Sequence, residues 1–370
     1  MTAASLEDRL KRRIAELGPI TVADYMAEVL THPEQGYYSA RDPFGVAGDF
    51  ITAPEVSQMF GELIGLWCAD VWQRLGSPAT IKLIELGPGR GTLMADALRA
   101  VRILPEFRRA IEVHLVEVSP VLRERQAETL KDEAVTWHGE LAEVPDGPCI
   151  LIANEFFDAL PIRQFRKDPK GWCEVMVGHD PASERLAFAL SAPSRNAAAY
   201  VPEALRDSPP GAMVEVSPAS IAIMSEAARR VAAHGGAGLV IDYGRGEQRA
   251  EATLQAVRGH ARAEVLDAPG SADLTAHVDF PTLAEVARQA GAETHGPVGQ
   301  GAFLKGLGIE QRAAILRAHA SDRQAKEIDA ALHRLCAQEQ MGTLFKALAV
   351  TPPDFGVPAG VSGRVIPLSQ

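Results

Sequence analysis

The residues best suited to chemistry form one run, Glu85-Leu86-Gly87-Pro88-Gly89-Arg90-Gly91-Thr92, between the apolar stretch IKLIEL and a helical stretch that starts at Thr92. Glycines let a backbone turn tightly and let a ligand approach it without meeting a Cβ. The helix that follows offers N–H groups with no partner inside the helix. Glu117 ends the next apolar stretch, EVHLVEV. An acid there can accept hydrogen bonds from two ribose hydroxyls, as in nucleotide-binding α/β folds. A dinucleotide fingerprint reads G-x-G-x-x-G, a spacing suited to a pyrophosphate. Here the spacing is G-x-G-x-G, preceded by Glu85 inside the strand. Acidic lining favours a cation over a pyrophosphate.

A glycine loop of this form belongs to enzymes that bind S-adenosyl-L-methionine, a ligand with no phosphate and a positive sulfonium. Methyl transfer is therefore expected in place of hydride transfer, with Glu85, Gly87, Pro88, Gly89, Gly91, Thr92 and Glu117 around the cofactor. His138 and then Gly139, Glu140 and Leu141 follow the third strand, where an adenine commonly lies in this fold, and those last three join the cofactor set.

A second chemical site is Asn154-Glu155-Phe156-Phe157-Asp158-Ala159-Leu160-Pro161, just past the strand CILIAN. Ligands of open α/β sheets bind outside the carboxyl ends of strands, so these residues are expected to face the cofactor's methyl group. Asn154 counts toward both sites. Glu155 and Asp158 form a fork that matches the planar donors of a guanidinium. Phe156 and Phe157 would wall the channel. The competing reading makes Asn154 and Asp158 helix caps and the phenylalanines core. Tyr37 and the segment Asp49, Phe50, Thr52 and Glu55 lie in a Gly- and Pro-rich stretch, read as a lid over the ligand or as a strap packed on the domain. Thr275, His277 and Asp279 make a polar cluster in which His277 is a minor substrate-side candidate.

These residues need a parallel sheet to position them, and the pattern supplies one. IKLIEL, EVHLVEV, CILIAN and GLVIDY read as strands, AVTWH as a weaker one, and helical stretches fall at 92–101 and 120–130. Strands alternating with helices imply βαβ units with both sheet faces covered. The segments 162–216 and 244–280 break the alternation and read as insertions after the fourth and fifth strands. The expected organisation is an N-terminal helical and lid region, 1–76, then one α/β domain, 77–370. A long helix is expected from Pro54 through Leu75.

Composition narrows the classes. Of 370 residues 46% are hydrophobic and 23% charged, which suits a globular chain with ample core. The net charge of −11 disfavours a general nucleic-acid binder. Glu62 and Asp70 interrupt the best candidate for a membrane span. Four scattered cysteines form no C-x-x-C pair, so neither a zinc module nor a disulfide scaffold is expected, and no metal. The start MTAASLEDRLKRR lacks an apolar signal region, which leads to the expectation of a cytoplasmic protein.

Seven blocks, in order, resemble the MidA-like methyltransferases, bacterial relatives of the mitochondrial arginine methyltransferase that assists assembly of respiratory complex I. They are GYYSARDPFGVAGDFITAPEVSQMFGELIG, IELGPGRGTLMADALR, VEVSPVLRERQ, ANEFFDALPIRQF, LVIDYG, DLTAHVDFPTLAEVA and MGTLFKALAV. The resemblance implies a class I methyltransferase fold, Rossmann-like and mostly parallel, with S-adenosyl-L-methionine as cofactor. It also implies a protein substrate, an arginine in the large peripheral-arm subunit of NADH:quinone oxidoreductase. Glu155, then Asp158, are the expected catalytic carboxylates. Two other classes stay open at this point: a nicotinamide-dependent oxidoreductase, and a non-enzymatic assembly protein that keeps the fold as a binding module.

Overall fold

Apolar runs short enough to be strands, and buried on both faces, build the centre of the molecule. The computed structural model describes residues 4–40 and 52–361. Its main sheet has seven long strands: β1 (Ile81–Leu86), β2 (Ile111–Val116), β3 (Val135–His138), β4 (Cys149–Asn154), β5 (Gly236–Arg245), β6 (Glu293–Gly299) and β7 (Phe345–Thr351). They are ordered β6-β7-β5-β4-β1-β2-β3. β1 to β5 run parallel, and β7 is antiparallel to both of its neighbours. β4 is buried at all six positions, and its alternate residues feed two cores. Ile150 and Ile152 pack with Trp67, Phe107 and Leu239 on one face. Leu151 and Ala153 pack with Ile84, Met224 and Phe280 on the other. The strand order reverses between β1 and β4, which opens a crevice beyond their carboxyl ends.

The helices that matter here are α1 (Leu6–Leu17), α2 (Val22–Thr31), α3 (Gln58–Arg74), α4 (Thr92–Ala100), α5 (Pro120–Thr129), α6 (Pro218–His234) and α7 (Phe280–Gln289). The helix expected from Pro54 is divided. A single turn, Ala53–Val56, ends at Ser57, whose extended backbone and hydroxyl then cap α3. None of the described helices is long and apolar enough to cross a membrane.

Packing divides the N-terminal 76 residues differently from the expected partition. α3 buries Met59, Phe60, Leu63 and Trp67 in the main core. α1 and α2 instead share a third core with both insertions, built on Leu10, Tyr25, Met26, Val177 and Leu274. The first insertion forms an antiparallel sheet, from Arg163–Asp168 through Met213–Val216, which takes Ile20–Thr21 as one of its strands. The second forms a three-stranded sheet, Gln255–Arg258, Ala261–Ala263 and Asp273–Thr275. The physical reason is amphipathicity. α1 has one apolar stripe, enough for a small lobe, whereas α3 is apolar nearly all round and must be engulfed.

α3 and α4 cross at Gly61 and Gly65. A Cβ on Gly61 would lie 2.6 Å from Asp96 Cβ, and one on Gly65 would lie 2.6 Å from the Ala97 carbonyl oxygen. Gly65→Val is expected to destabilise the protein by about 1–3 kcal/mol through overpacking. Because α4 begins at the glycine loop, ligand affinity should fall with stability. Urea unfolding and calorimetric titration check both, and an unchanged unfolding midpoint would mean that the helices have room to part.

Candidate active site

The glycine loop leaves β1 in a conformation few other residues adopt. Gly87, Gly89 and Gly91 have φ of 60°, 54° and 80°, in the left-handed region where a Cβ is costly. A Cβ on Gly87 would lie 2.6 Å from the Phe156 ring. Gly91 leads into α4 in a left-handed conformation. Beside the loop is a cavity lined by Glu55, Glu85, Gly87, Thr92, Asn154 and Glu155, with Pro88, Gly89 and Arg90 also on its wall. Thr92 Oγ1 donates to Glu55 Oε1 at 2.6 Å, which ties the N-terminal segment over the start of α4.

Glu117 lies at the end of β2, nearly buried. Its Oε1 accepts from Ser119 N–H at 2.8 Å and its Oε2 from Gln126 Nε2 at 3.1 Å. A carboxylate has about four acceptor sites, so two remain for a ligand's hydroxyls. Gln126 also donates to the Gly89 carbonyl at 2.8 Å and accepts from Trp137 Nε1 at 2.9 Å. One side chain of α5 therefore fixes the glycine loop relative to Glu117.

Acids converge at the ends of β1, β4 and β5. Burial raises Glu85 to about 8. Burial also raises Glu155 to about 7, helped by the charge of Asp158 and opposed by hydrogen bonds from Ala53 and Asn154. Asp158 is pushed to about 7, again by burial. Asp242 is wholly buried and pushed up by burial and then by its acidic neighbours. Its Oδ2 accepts from the N–H groups of Phe156 (3.1 Å), Phe157 (2.9 Å) and Asp158 (3.3 Å), and its Oδ1 from Tyr243 N–H (2.8 Å). This anchor holds the NEFFD loop in place with Glu155 at φ 50°. Glu155 Oε1 accepts from Ala53 N–H at 2.7 Å and from Asn154 Nδ2 at 3.2 Å. No helix follows the loop, so neither Asn154 nor Asp158 caps one.

Beyond Glu155 lies a second cavity of about 450 Å³, lined by Tyr38, Asp158, Tyr243, Asp273, Arg334 and Phe345 among others. Glu155 and Thr52 line both cavities. The first would suit a nucleoside cation. Its Glu85 Oε2 and Asn154 Oδ1 are buried with no protein hydrogen-bond partner, and buried acceptors of this kind call for a donor or positive charge.

Residues 63–298 match a family of S-adenosyl-L-methionine-dependent methyltransferases. The chain belongs to that family. The chain is 42% identical to the mouse protein arginine methyltransferase NDUFAF7, mitochondrial, over 93% of this chain and 83% of the relative. Against the human protein of that name the figures are 40%, 93% and 82%. Among solved structures it is similar to a likely methyl transferase from Burkholderia thailandensis, bound to S-adenosyl-homocysteine. That match has a TM-score of 0.80 and 30% identity, and covers 97% of this chain and 93% of the other. The fold is that of a class I methyltransferase, and the cofactor is S-adenosyl-L-methionine.

The methyltransferase brings many of the expected residues together and leaves others apart. Glu85, Gly87, Pro88, Gly89, Thr92, Asn154, Glu155, Thr52 and Glu55 line the first cavity. Gly139 donates to Glu143 Oε2 at 2.6 Å, Glu140 is exposed and Leu141 is buried; these residues follow β3 beside Glu117 and line neither cavity. Phe157 is core, and Phe156 packs its ring edge on Phe157 and lies against Gly87. Tyr37 is fully buried, while its neighbour Tyr38 reaches the second cavity. His277 lines a separate cavity with Phe157 and Glu215, and its ring meets Tyr243 edge-on at 5.4 Å. Asp49 and Phe50 lie outside the described residues. Sequence reasoning missed Gln126, Asp242, Tyr243, Tyr38 and Asp273. It also missed Val118, an apolar side chain 62% exposed beside Glu117. Only Asp242 and Tyr243, within LVIDYG past a strand, carried a local signal.

The raised acids give a pH dependence with a definite sign. Native carboxyls held above their ordinary values bind protons that the unfolded chain releases, so their stabilising contribution is complete below the ordinary carboxylate range. It is lost as pH rises through about 7 to 8. Binding of a cationic ligand reverses this by releasing the protons. Affinity for S-adenosylmethionine should therefore rise between pH 6 and 8, by up to about tenfold per pH unit for each proton released. Uncharged-sulfur S-adenosylhomocysteine should show a shallower rise. Calorimetric titration of both ligands across that range checks it, and parallel slopes would remove the acids from the sulfonium's surroundings.

Proposed function

We propose that this enzyme methylates an arginine side chain of a protein. The observation that carries the reading is the position of Glu155, a buried carboxyl on the shared wall of the glycine-loop cavity and the acidic cavity beyond it. The cofactor, when bound, supplies a methyl group on a positively charged sulfur. Everything else is work for the protein. Arginine stays protonated in water, so the site must align the guanidinium and polarise it. Glu155 and Asp158 offer two carboxyls for its planar donors. As the N–CH₃ bond forms and the S–CH₃ bond breaks, a guanidinium nitrogen must lose a proton. A carboxyl poised near 7 is suited to take it. Asp242 and the Ala53 N–H hold Glu155 in place, and such positioning supplies much of the rate.

For the protein substrate we infer an arginine in the large peripheral-arm subunit of NADH:quinone oxidoreductase. The support is the likeness to the MidA-like family, together with the names of the mouse and human relatives, which are protein arginine methyltransferases of mitochondria. Labelled methyl transfer to that subunit, mapped by peptide mass, tests the inference, and transfer to a residue other than arginine would overturn it.

Glu155→Gln should keep cofactor affinity within a fewfold, because the amide oxygen still accepts from Ala53 and Asn154. Single-turnover transfer at saturating cofactor should slow by about a hundredfold or more, since the charge and the base are both gone. A rate near that of the parent would move the catalytic carboxylate to Asp158. Loss of cofactor binding would assign Glu155 to the cofactor.

A further inference from the structure

The acidic cavity has a carboxyl that the proposed reaction does not use. Asp273 is 4% exposed and lies on the cavity wall at the start of the strand Asp273–Thr275, in the second insertion. Tyr38 faces it from the N-terminal lobe, its hydroxyl donating to Asp273 Oδ1 at 2.9 Å. Tyr38 is also placed with respect to the cofactor. Its carbonyl accepts from Ser119 Oγ at 2.7 Å, and the Ser119 N–H is the group that donates to Glu117. The strand bearing Asp273 is joined in turn to the NEFFD loop, because Ala276 N–H donates to the Asp158 carbonyl at 3.0 Å. One short chain of hydrogen bonds thus runs from the ribose acid to the far wall of the acidic cavity.

We infer that Asp273, oriented by Tyr38, is a specificity-determining residue that selects a guanidinium over an ammonium. The inference rests on the arginine reading given above. Glu155 and Asp158 come from the loop after β4, and Asp273 from a different segment, so the cavity presents acids from more than one wall. A guanidinium spreads five N–H donors over a plane and can engage carboxylates in different directions at once. An ammonium concentrates its charge and three donors at one point. It can satisfy the Glu155 side or the Asp273 side, but leaves the other carboxylate desolvated without a partner. A site with unpaired buried polar groups rejects the ligand that fails to pair them. Tyr38 is a positioning residue, since its phenol fixes which oxygen of Asp273 is available to the substrate.

The test uses the full chain saturated with S-adenosylhomocysteine, titrated calorimetrically with two blocked tripeptides that differ only in a central arginine or lysine. The parent should bind the arginine peptide at least tenfold more tightly than the lysine peptide. Asp273→Asn should lose about tenfold in affinity for arginine and little for lysine, while affinity for S-adenosylhomocysteine stays put. Asp273→Glu should restore part of the preference. Tyr38→Phe should raise the KM for the arginine peptide more than it lowers kcat. If the parent prefers arginine and Asp273→Asn keeps that preference, this inference fails and the arginine reading stands. If the parent shows no preference for arginine, both fail. Equal losses for arginine, lysine and S-adenosylhomocysteine in Asp273→Asn would mark a structural role and would also overturn the inference.

Discussion

The carboxylate of Asp242 is the constraint on which the site depends. It stands in the middle of β5's carboxyl end and accepts three consecutive N–H groups from the loop leaving β4, plus that of Tyr243. A loop that departs from a strand end has N–H groups without ladder partners, and burying them unpaired is costly. One carboxylate satisfies them together and so dictates the loop's path. That path places Glu155 in a left-handed conformation, unusual for a residue with a side chain. Strain of this kind persists only where the surroundings over-determine it. Here the over-determination is visible: Asp242 below, the β5 carbonyl of Ile241 accepting the Glu155 N–H at 2.8 Å, and Ala53 holding the side chain.

The same arrangement explains why so much apolar core is gathered around so small a site. Glu85, Glu155, Asp158 and Asp242 all lie buried, and burial raises each of them. Assembling acids in one crevice opposes folding, because desolvated like charges repel and must either protonate or find cations. The cost is offset by the two cores that sandwich the sheet, which are made of fully buried side chains such as Trp67, Phe60 and Phe280. In exchange the crevice is preorganised for positive charge. A cationic cofactor and a cationic substrate side chain each relieve part of the repulsion, so the apoprotein's weakness is the source of its affinity. The Glu62 carboxylate shows the contrast. It too is buried, but Arg312 and Arg99 pair with it, and it does structural duty.

What was legible in the sequence was local. The glycine spacing, the acids at the ends of β1 and β2 and the NEFFD loop all sit at strand termini. Strand termini can be read from apolar runs, and the switch-point rule then puts them in one crevice. Register within a pair of neighbours was not legible. Tyr37 and Tyr38 are adjacent, and their rings meet at 87°, one in the lobe core and the other at the cavity. Long-range partners were invisible for a different reason. Tyr38 and Asp273 are 235 residues apart in the chain, and no spacing rule connects an N-terminal helix to the second insertion. Gln126 was hidden by its type, since a glutamine on a helix reads as surface until its three hydrogen bonds are seen.

The placement of the N-terminal segment shows how the fold divides its labour. The β-sheet supplies the cofactor crevice and the acids at its edge, all from strand ends that the two large cores hold rigidly. The wall opposite comes from α1, α2 and the two insertions, which share a separate and smaller core. Thr52 to Val56 bridges the two parts, with Ala53 bonded to Glu155 and Glu55 bonded to Thr92. A substrate-binding wall built on its own core can change with the partner protein while the cofactor crevice stays as it is. The bridge has the opposite requirement, because its contacts are made to the glycine loop and to Glu155. Movement of that segment would alter cofactor and substrate sites together, so its geometry is bound to the sheet even though its sequence lies outside it.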